Sequence, residues 1–284
     1  MIEEAPAGPF VIGPQAHLEG SGKGGSDRDA ENITVYFSLI IPTLNESKNI
    51  RNFIEAVCRV LDSTLARPYE IIVVDDNSSD RTWEIVEKMA TRYAQLRVIR
   101  RQTELELSSA VIRGWQVSRG EILGTMNADF QHPPTMLPKM LERIETADLV
   151  IATRFRDGGS VGTWPIHRRV VSDAAKLAGR LAVPHVFGSV SDPLSGCYLF
   201  RRSVVMGTTL NPIGYKTLIE ILARGKISQI RECGYKMEER LAGRSKLSYR
   251  QGLQYLVHLW RLRSVSRDRT SDVPSSRGDR SKEA

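Results

Sequence analysis

Oxygen-bearing side chains follow an apolar stretch near the middle of the chain. Asn127 and Asp129 come directly after the apolar segment 122–126, Gln131 stands two residues further on, and a pair of prolines ends the segment. A carboxylate with a second oxygen ligand two residues earlier suits a hard divalent cation that holds a phosphate. The pattern therefore points to a nucleotide-diphosphate substrate.

Three further polar clusters stand where other strands are expected to end. They are residues 42–46 (PTLNE), 75–80 (DDNSSD) and 192–196 (DPLSG). Ligands of open α/β sheets bind outside the carboxyl ends of the strands, so the first two clusters would form one crevice for a nucleoside base and ribose. Runs of Asn, Asp and Ser are also ordinary helix caps, which makes each cluster alone weak evidence. Four such clusters in register favour a functional site.

The elements that would position these clusters alternate between strands and helices. Strands are predicted at 35–42, 69–75, 96–100, 121–126, 148–153 and 227–234, with a loop and strand at 191–200, and helices at 46–65, 80–93, 107–118, 135–146, 165–181 and 214–224. Continuous apolar strands such as 71–74 (IIVV) indicate a parallel sheet that is covered on both faces. The predicted fold class is therefore α/β, with a Rossmann-like, mostly parallel sheet and helices on both faces.

The chain divides into three predicted parts. Residues 1–33 are rich in Gly, Pro and small polar residues and are expected to form a disordered arm. Residues 34–263 form the predicted catalytic domain, and the 284-residue chain, with 41% hydrophobic and 26% charged residues, has an ordinary globular composition. Residues 264–284 alternate Ser, Arg and Asp without apolar periodicity and are expected to form a disordered charged tail.

The charge of the chain indicates an anionic partner. A net charge of +7 and a pI near 9.4 suit nucleic acid, an anionic membrane surface or phosphorylated substrates. No recognised nucleic-acid-binding motif and no GxGxxG fingerprint are present, so neither nucleic acid nor a dinucleotide is predicted as a partner. The three cysteines lie far apart, which argues against a zinc site or a disulfide framework. Without a signal peptide or a bilayer-length apolar run, a soluble or peripheral protein is expected.

A last helix is predicted at about 249–262. Its residues Leu253, Leu256, Val257 and Trp260 share one face, and basic residues lie around its polar side and end. Such an amphipathic helix could lie in a membrane interface, or it could dock on its own domain. The sequence leaves both alternatives open.

Seven stretches together resemble one enzyme group. They are IIPTLNE (40–46), VVDDNSSDRTWE (73–84), LSSAVIRGW (107–115), MNADFQHPP (126–134), DPLSGCYLFRR (192–202), LNPIGYK (210–216) and GRSKL (243–247). The chain resembles, from about residue 35 to 263, the dolichol-phosphate mannosyltransferase group of the inverting, GT-A-fold glycosyltransferases. The last stretch and the helix after it favour the polyprenyl-phosphate branch over chitin- or cellulose-forming relatives.

The resemblance implies a reaction. A hexose, expected to be mannose from GDP-mannose, would pass to dolichyl or polyprenyl phosphate with inversion. The acceptor oxygen is already ionised near neutral pH, so catalysis would depend on positioning two anions and stabilising the departing diphosphate rather than on a general base. Two alternatives remain open: a UDP-glucose-dependent polyprenyl-phosphate glucosyltransferase, and a catalytically weakened regulator that binds a nucleotide or lipid phosphate.

The resemblance also implies roles for particular residues. The nucleotide site would be lined by Pro42, Leu44, Glu46, Val74 and Asp76, and the metal, Mg²⁺ or Mn²⁺, would be held by Asn127, Asp129 and Gln131, with Ala128 between them. Arg154, Arg240 and Lys246 would contact the phosphates or the transferred sugar, and Arg168 and Ser172 would receive the lipid phosphate. Asp129, Arg154 and Lys246 are the predicted catalytic residues.

The chain departs from the family pattern in three places. Asn127 replaces the first metal-binding Asp, which predicts weaker metal affinity, although its carbonyl oxygen can still ligate. Residues 104–106 (ELE) replace a Lys-Gly or Arg-Gly pair, so two carboxylates would either disfavour the phosphates or face solvent. No transmembrane helix follows Leu262. We therefore expect a cytoplasmic protein attached peripherally to the cytosolic face of a membrane, by its own surface or through a membrane-anchoring partner.

Overall fold

The computed structural model of the protein describes residues 10–13, 34–103, 106–162, 164–238 and 249–271. The strands are β1 (Phe10–Val11), β2 (Phe37–Thr43), β3 (Tyr69–Asp75), β4 (Leu96–Arg100), β5 (Ile122–Thr125), β6 (Leu149–Thr153), β7 (Tyr198–Arg201), β8 (Thr209–Leu210) and β9 (Ile230–Gly234). The helices are α1 (Ile50–Thr64), α2 (Thr82–Ala90), α3 (Leu107–Val117), α4 (Leu137–Ile144), α5 (Ile166–Ala182), α6 (Pro184–Gly188), α7 (Thr217–Arg224) and α8 (Tyr249–Ser271).

A seven-stranded sheet with the order β4-β3-β2-β5-β7-β6-β9 forms the centre of the protein. All its pairings are parallel except those of β7, which runs antiparallel to both β5 and β6. Alternate strand residues point to two hydrophobic layers, one containing Phe53 of α1 and the other Trp115 of α3. The predicted α/β class, with a mostly parallel sheet and helices on both faces, is confirmed.

Most predicted elements occur close to their predicted bounds, and β3 and β4 match them fully. The first helix begins later than predicted, at Ile50 instead of residue 46. Asn45 has a left-handed backbone with φ of 54°, and residues 47–49 form a turn before the helix starts. The polar residues after β2 are therefore held in a turn at the strand end.

The sequence predicts a disordered N-terminal arm, but part of this arm forms regular structure. Phe10 and Val11 form β1, which pairs antiparallel with Leu210 and Thr209 of β8. Ile12 is fully buried in the layer beneath α3. The hydrophobic residues of this short segment explain the difference, because burial of one Ile side chain contributes about 2 kcal/mol. The rest of the predicted arm lies outside the described residues.

Helix α8 extends to Ser271, beyond the predicted end of the domain at residue 263, so the first residues of the predicted tail are helical. Its residues Tyr255, His258, Leu259 and Leu262 are buried, and the helix packs against α5 and α7. The apolar residues named from the sequence instead remain exposed, with Trp260 at 74%. The helix therefore docks on its own domain through one face and leaves an apolar face uncovered.

Candidate functional site

The ends of β2 and β3 are locked together by hydrogen bonds. Pro42 pairs with Val74 and Thr43 with Asp75 in the parallel register. The Asp75 carboxylate accepts hydrogen bonds from the Thr43 hydroxyl at 2.7 Å and from the Ser78 hydroxyl and amide at 2.6 and 2.8 Å. The Asp75 carboxylate therefore stabilises the turn after β3. The carboxylate of the next residue, Asp76, has a different partner.

That carboxylate, Asp76, forms a buried ion pair with Arg101, whose Nε donates to Asp76 Oδ1 at 2.7 Å. Arg101 directly follows β4, the neighbour of β3 in the sheet. The hydrogen bond fixes the orientation of the predicted nucleotide-binding carboxylate, and the pairing offsets the cost of burying its charge. Sequence analysis missed Arg101 because nothing in a single sequence indicates which distant arginine meets Asp76.

The other predicted nucleotide residues have different surroundings. Leu44 is 39% exposed at the strand end. Glu46 accepts a hydrogen bond from the Asn49 side chain at 2.9 Å, so it also organises the start of α1. Val74 is fully buried in the core layer beneath α3. The nucleotide contacts assigned to these residues remain predictions.

The predicted metal-binding turn follows β5. Phe130 adopts a left-handed backbone with φ of 60° and packs edge-on against Phe53, with ring centroids 5.1 Å apart. Such a conformation costs a bulky residue roughly 1–3 kcal/mol, so the packing must hold it in place. Asp129, Ala128 and Gln131 are buried, and the backbone N–H of Gln131 donates to Asp129 Oδ1 at 3.2 Å. The turn thus presents a buried carboxylate between two amide side chains.

These residues fit a hard cation. A Cβ atom on Gly196 would lie 3.0 Å from the Asn127 amide nitrogen and 3.6 Å from His132 Cε1, so the absent side chain makes room for the amide. Burial lowers the pKa of His132 to about 4, so this neighbour is neutral and adds no positive charge. Within the described ranges, no three His, Cys, Asp or Glu side chains cluster in a metal-binding arrangement. A cation here would therefore depend on amide oxygens beside one carboxylate.

A second ion pair lies across the strand ends. Arg154, just after β6, donates from Nε and Nη2 to the Asp192 carboxylate at 2.7 and 2.8 Å. Burial alone would lower the pKa of Arg154, but the hydrogen bonds and charge of Asp192 outweigh it and raise that pKa. Asp192 belongs to the fourth polar cluster of the sequence, so this cluster is the anchor of the arginine.

Trp164 connects Arg154 to α5. The guanidinium carbons of Arg154 and Arg168 lie 5.0 and 4.2 Å from the centre of the Trp164 ring. Ser172 stands one helical turn after Arg168 on the same helix face. Arg168, one of the two residues predicted to receive the lipid phosphate, therefore contacts the same ring as the arginine predicted to contact the donor.

Lys216 adds a third cation that sequence analysis did not assign. Its Nζ donates to the Leu194 carbonyl at 2.6 Å. Burial, together with the positive charge of Arg154, lowers the pKa of Lys216 to about 8, although the charge of Asp192 opposes this shift. The signal available in the sequence was the position of Lys216 at the end of the LNPIGYK stretch.

Two predicted catalytic or binding residues, Arg240 and Lys246, lie outside the described residues, as do Glu104 and Leu105. Their roles remain predictions. The described part of the site has two sides: strand-end carboxylates and amides on one, and Arg154, Arg168 and Lys216 around Asp192 on the other. Such a surface can hold a cation and several phosphate oxygens together.

Comparison with known proteins decides the family. The family described as glycosyl transferase family 2 matches residues 38–207, more than half of the chain. The chain belongs to glycosyl transferase family 2. The matched segment contains the ends of β2, β3, β5 and β6 and the turn that carries Asp192, which are the parts that form the site.

Characterised relatives confirm the resemblance to the dolichol-phosphate mannosyltransferase group. The dolichol-phosphate mannosyltransferase of Pyrococcus furiosus is 42% identical over 226 residues, which cover 79% of this chain but only 63% of that protein's length. The Saccharomyces cerevisiae dolichol-phosphate mannosyltransferase is 32% identical over 80% of this chain and 86% of its own. The undecaprenyl-phosphate mannosyltransferase of Micrococcus luteus is 32% identical over 74% of this chain and 86% of its own.

Solved structures confirm the GT-A fold. Mannosyl-3-phosphoglycerate synthase from Rubrobacter xylanophilus aligns with a TM-score of 0.61 at 18% identity, over 85% of this chain and 77% of that one. Glucosyl-3-phosphoglycerate synthase from Mycobacterium tuberculosis, in complex with Mn²⁺, UDP-glucose and phosphoglyceric acid, aligns with a TM-score of 0.58 at 20% identity, over 89% of this chain and 88% of that one. At this identity the likeness concerns the fold alone.

The pKa of Lys216 predicts a pH dependence. Since the pKa is lowered to about 8, the lysine is charged at neutral pH and loses its positive charge as the pH rises through that value. We expect transfer to the acceptor to weaken above about pH 8, and Lys216→Arg to move this alkaline decline to higher pH because arginine remains charged. The pH profile of kcat/KM for the acceptor measures this. An identical alkaline decline in both proteins would contradict a role for this charge.

Proposed function

We propose that this protein transfers mannose from GDP-mannose to a polyprenyl phosphate with inversion, giving a lipid-linked sugar phosphate. The observation that carries the proposal is the group of three cations, Arg154, Lys216 and Arg168, near the carboxylate of Asp192. Their net positive charge adjoins a strand-end turn that suits a divalent cation. An enzyme that must bring two phosphate-bearing substrates together needs this combination.

The donor would bind at the ends of β2, β3 and β5. Asp76, oriented by Arg101, would line the crevice for the nucleoside, and Asn127, Asp129 and Gln131 would hold Mg²⁺ or Mn²⁺. A bound divalent cation would neutralise charge that develops on the departing diphosphate. Arg154 is held by Asp192 at a fixed position, so it can stabilise the same charge without reorganising.

The acceptor would approach from the side of α5. Arg168, Ser172 and Lys216 would bind its phosphate, whose ionised oxygen attacks the anomeric carbon as the bond to the diphosphate breaks. Attack opposite to the leaving group inverts that carbon. No side chain has to remove a proton, and the protein contributes alignment and electrostatic stabilisation, which together supply most of such a rate enhancement.

A lipid acceptor requires access to a membrane, and α5 and α8 offer a surface for it. On α5, Ile166 and Leu181 are 80% and 76% exposed, and α8 leaves Leu256 and Trp260 uncovered. The two helices are joined by a hydrogen bond from the Tyr255 hydroxyl to the Ala175 carbonyl at 2.7 Å. None of the helices in the described ranges is long and apolar enough to cross a bilayer.

We propose that these helices attach the protein peripherally to an anionic membrane at its cytosolic face. Arg169 and Arg180 of α5 and Arg261 and Arg263 of α8 are exposed on the same helices as the uncovered apolar residues. Cations beside apolar side chains favour anionic headgroups. Attachment through a membrane-anchoring partner is the alternative outcome of the test.

Asn127 supports a second candidate function. A neutral amide replaces a carboxylate beside the cation, so a protein that binds the nucleotide sugar or lipid phosphate without turnover, as a regulator, is the competing proposal. The amide oxygen remains a ligand for a hard cation, which favours a catalyst with reduced metal affinity over an inactive protein.

Turnover decides between these functions. Purified protein is given GDP-mannose or UDP-glucose with a polyprenyl phosphate and Mn²⁺, and lipid-linked sugar is detected by mass. We expect mannosyl transfer by the wild type, and a loss of about a hundredfold or more in Asp129→Ala because a preorganised charge at the reacting diphosphate is removed. Asp62→Ala, on the exposed side of α1, is the control. Wild-type turnover in Asp129→Ala would refute the metal assignment, binding without turnover would favour the regulator, and glucosyl transfer alone would exclude the proposed donor.

Vesicle binding tests the membrane surface. Leu256→Glu/Trp260→Glu places two carboxylates on the uncovered face of α8, so we expect binding to anionic phospholipid vesicles to fall about tenfold or more, since each buried large apolar side chain contributes about 1.5–3 kcal/mol. Val11→Glu, at an exposed apolar residue of β1, is the control and should bind like the wild type. Sedimentation with vesicles measures both. Unchanged binding of the double variant would exclude this surface, and no binding by the wild type would favour an anchoring partner.

A further inference from the structure

Glu106 lies in the segment where the chain departs from the family pattern, and its half-buried side chain accepts hydrogen bonds from two other parts of the fold. Glu106 Oε1 accepts a hydrogen bond from Gln254 Nε2 of α8 at 2.6 Å. Glu106 Oε2 accepts one from the backbone amide of Gly214 at 3.3 Å. The carboxylate therefore joins the start of α3 to α8 and to the turn at 211–216.

The same turn is held from two further directions. The Gly214 carbonyl accepts a hydrogen bond from the Ser108 amide at 3.1 Å. Gly214 has φ of 77°, and a Cβ atom there would lie 3.2 Å from Gln254 Cβ, so α8 packs closely on the turn. Lys216 follows two residues later and points its ammonium at the Leu194 carbonyl. The position of this cation therefore depends on a turn clamped between α3 and α8.

The backbone of Glu106 serves the opposite side of the site. Its carbonyl accepts a hydrogen bond from Arg101 Nη2 at 2.9 Å, and Arg101 in turn orients Asp76. Replacing the Glu106 side chain leaves this carbonyl in place. The side chain thus acts on the turn that carries Lys216, whereas the backbone acts on the proposed nucleotide crevice.

We propose that Glu106 is a positioning residue for the lipid-phosphate acceptor. Its carboxylate ties the proposed membrane helix α8 to turn 211–216, and so fixes Lys216 near Arg154 and Arg168. This segment, which departs from the family pattern, thereby links membrane docking with acceptor binding. This inference rests on the proposed transfer to a polyprenyl phosphate.

Kinetics of Glu106 variants test the proposal. Glu106→Ala removes both hydrogen bonds, so we expect the KM for polyprenyl phosphate in vesicles to rise about tenfold while the KM for the nucleotide sugar stays within about twofold. Glu106→Gln keeps an oxygen for the Gly214 amide, and the Gln254 amide can rotate to meet the new amino group, so this variant should restore the wild-type constants. Gln254→Ala removes only the bond from α8, so it should raise the same KM by less than Glu106→Ala, and the double variant should be no worse than Glu106→Ala because the shared contact is already lost.

Glu87→Ala, at an exposed carboxylate of α2, is the matched control and should leave both constants unchanged. Equal rises in both KM values, unchanged constants in Glu106→Ala, or a Glu106→Gln variant as impaired as Glu106→Ala would each overturn the proposal. The first would mark a general distortion of the site, since a mere loss of folded protein lowers the apparent kcat and leaves both KM values unchanged.

Hydrogen exchange without substrates separates this inference from the proposed function. We expect faster exchange of the amides in turn 211–216 and in the α8 turn around Gln254 in Glu106→Ala than in the wild type. If the wild type shows no transfer, the proposed function fails, while faster exchange still supports the clamp. Exchange identical to the wild type would overturn the clamp, whatever the activity.

Discussion

The site depends on the buried ion pair between Arg154 and Asp192. Arg154 directly follows β6, and Asp192 belongs to the turn before β7, the one antiparallel strand among the seven of the central sheet. Because β7 runs against its neighbours, its preceding turn returns to the edge where the parallel strands end. Removing one partner of such a pair costs roughly 3–5 kcal/mol, so the two segments are held firmly together. Lys216 and Arg168 then add positive charge that Asp192 alone does not balance.

The two sides of the site are built by different means. On the nucleotide side, short-range hydrogen bonds of Asp75 close the strand-end turn, and Arg101 orients Asp76. On the acceptor side, the cations come from a loop, a helix and a turn that meet only in the folded chain. Helix α8 contacts that turn through Gln254, and it is fastened to α7 by a buried hydrogen bond of 2.7 Å between His258 and Glu220. A helix that presents apolar residues outward is thereby connected to the groups proposed to bind a lipid phosphate.

Features of the structure that depend on local sequence patterns could be predicted from the sequence. The uninterrupted apolar run 71–74 located β3 correctly, and polar clusters after the strands indicated where a site would form. The partners of these residues were not predictable, because Arg101, Lys216 and Gln254 meet their contacts across long stretches of chain. The left-handed Phe130 was missed for a similar reason, since packing against Phe53 overrides its intrinsic preference. A two-residue strand such as β1 is too short to show a period, and its pairing with β8 decides its structure.

A crystal structure with Mn²⁺ and GDP-mannose tests the central claim most directly. The account predicts anomalous density for the metal beside the Asp129 carboxylate, with the Asn127 amide oxygen on the same ion and the diphosphate between that ion and Arg154. Arg154 should keep its bond to Asp192 in that complex. A nucleotide sugar bound elsewhere, or an Asp129 carboxylate turned away from the metal and the diphosphate, would contradict it.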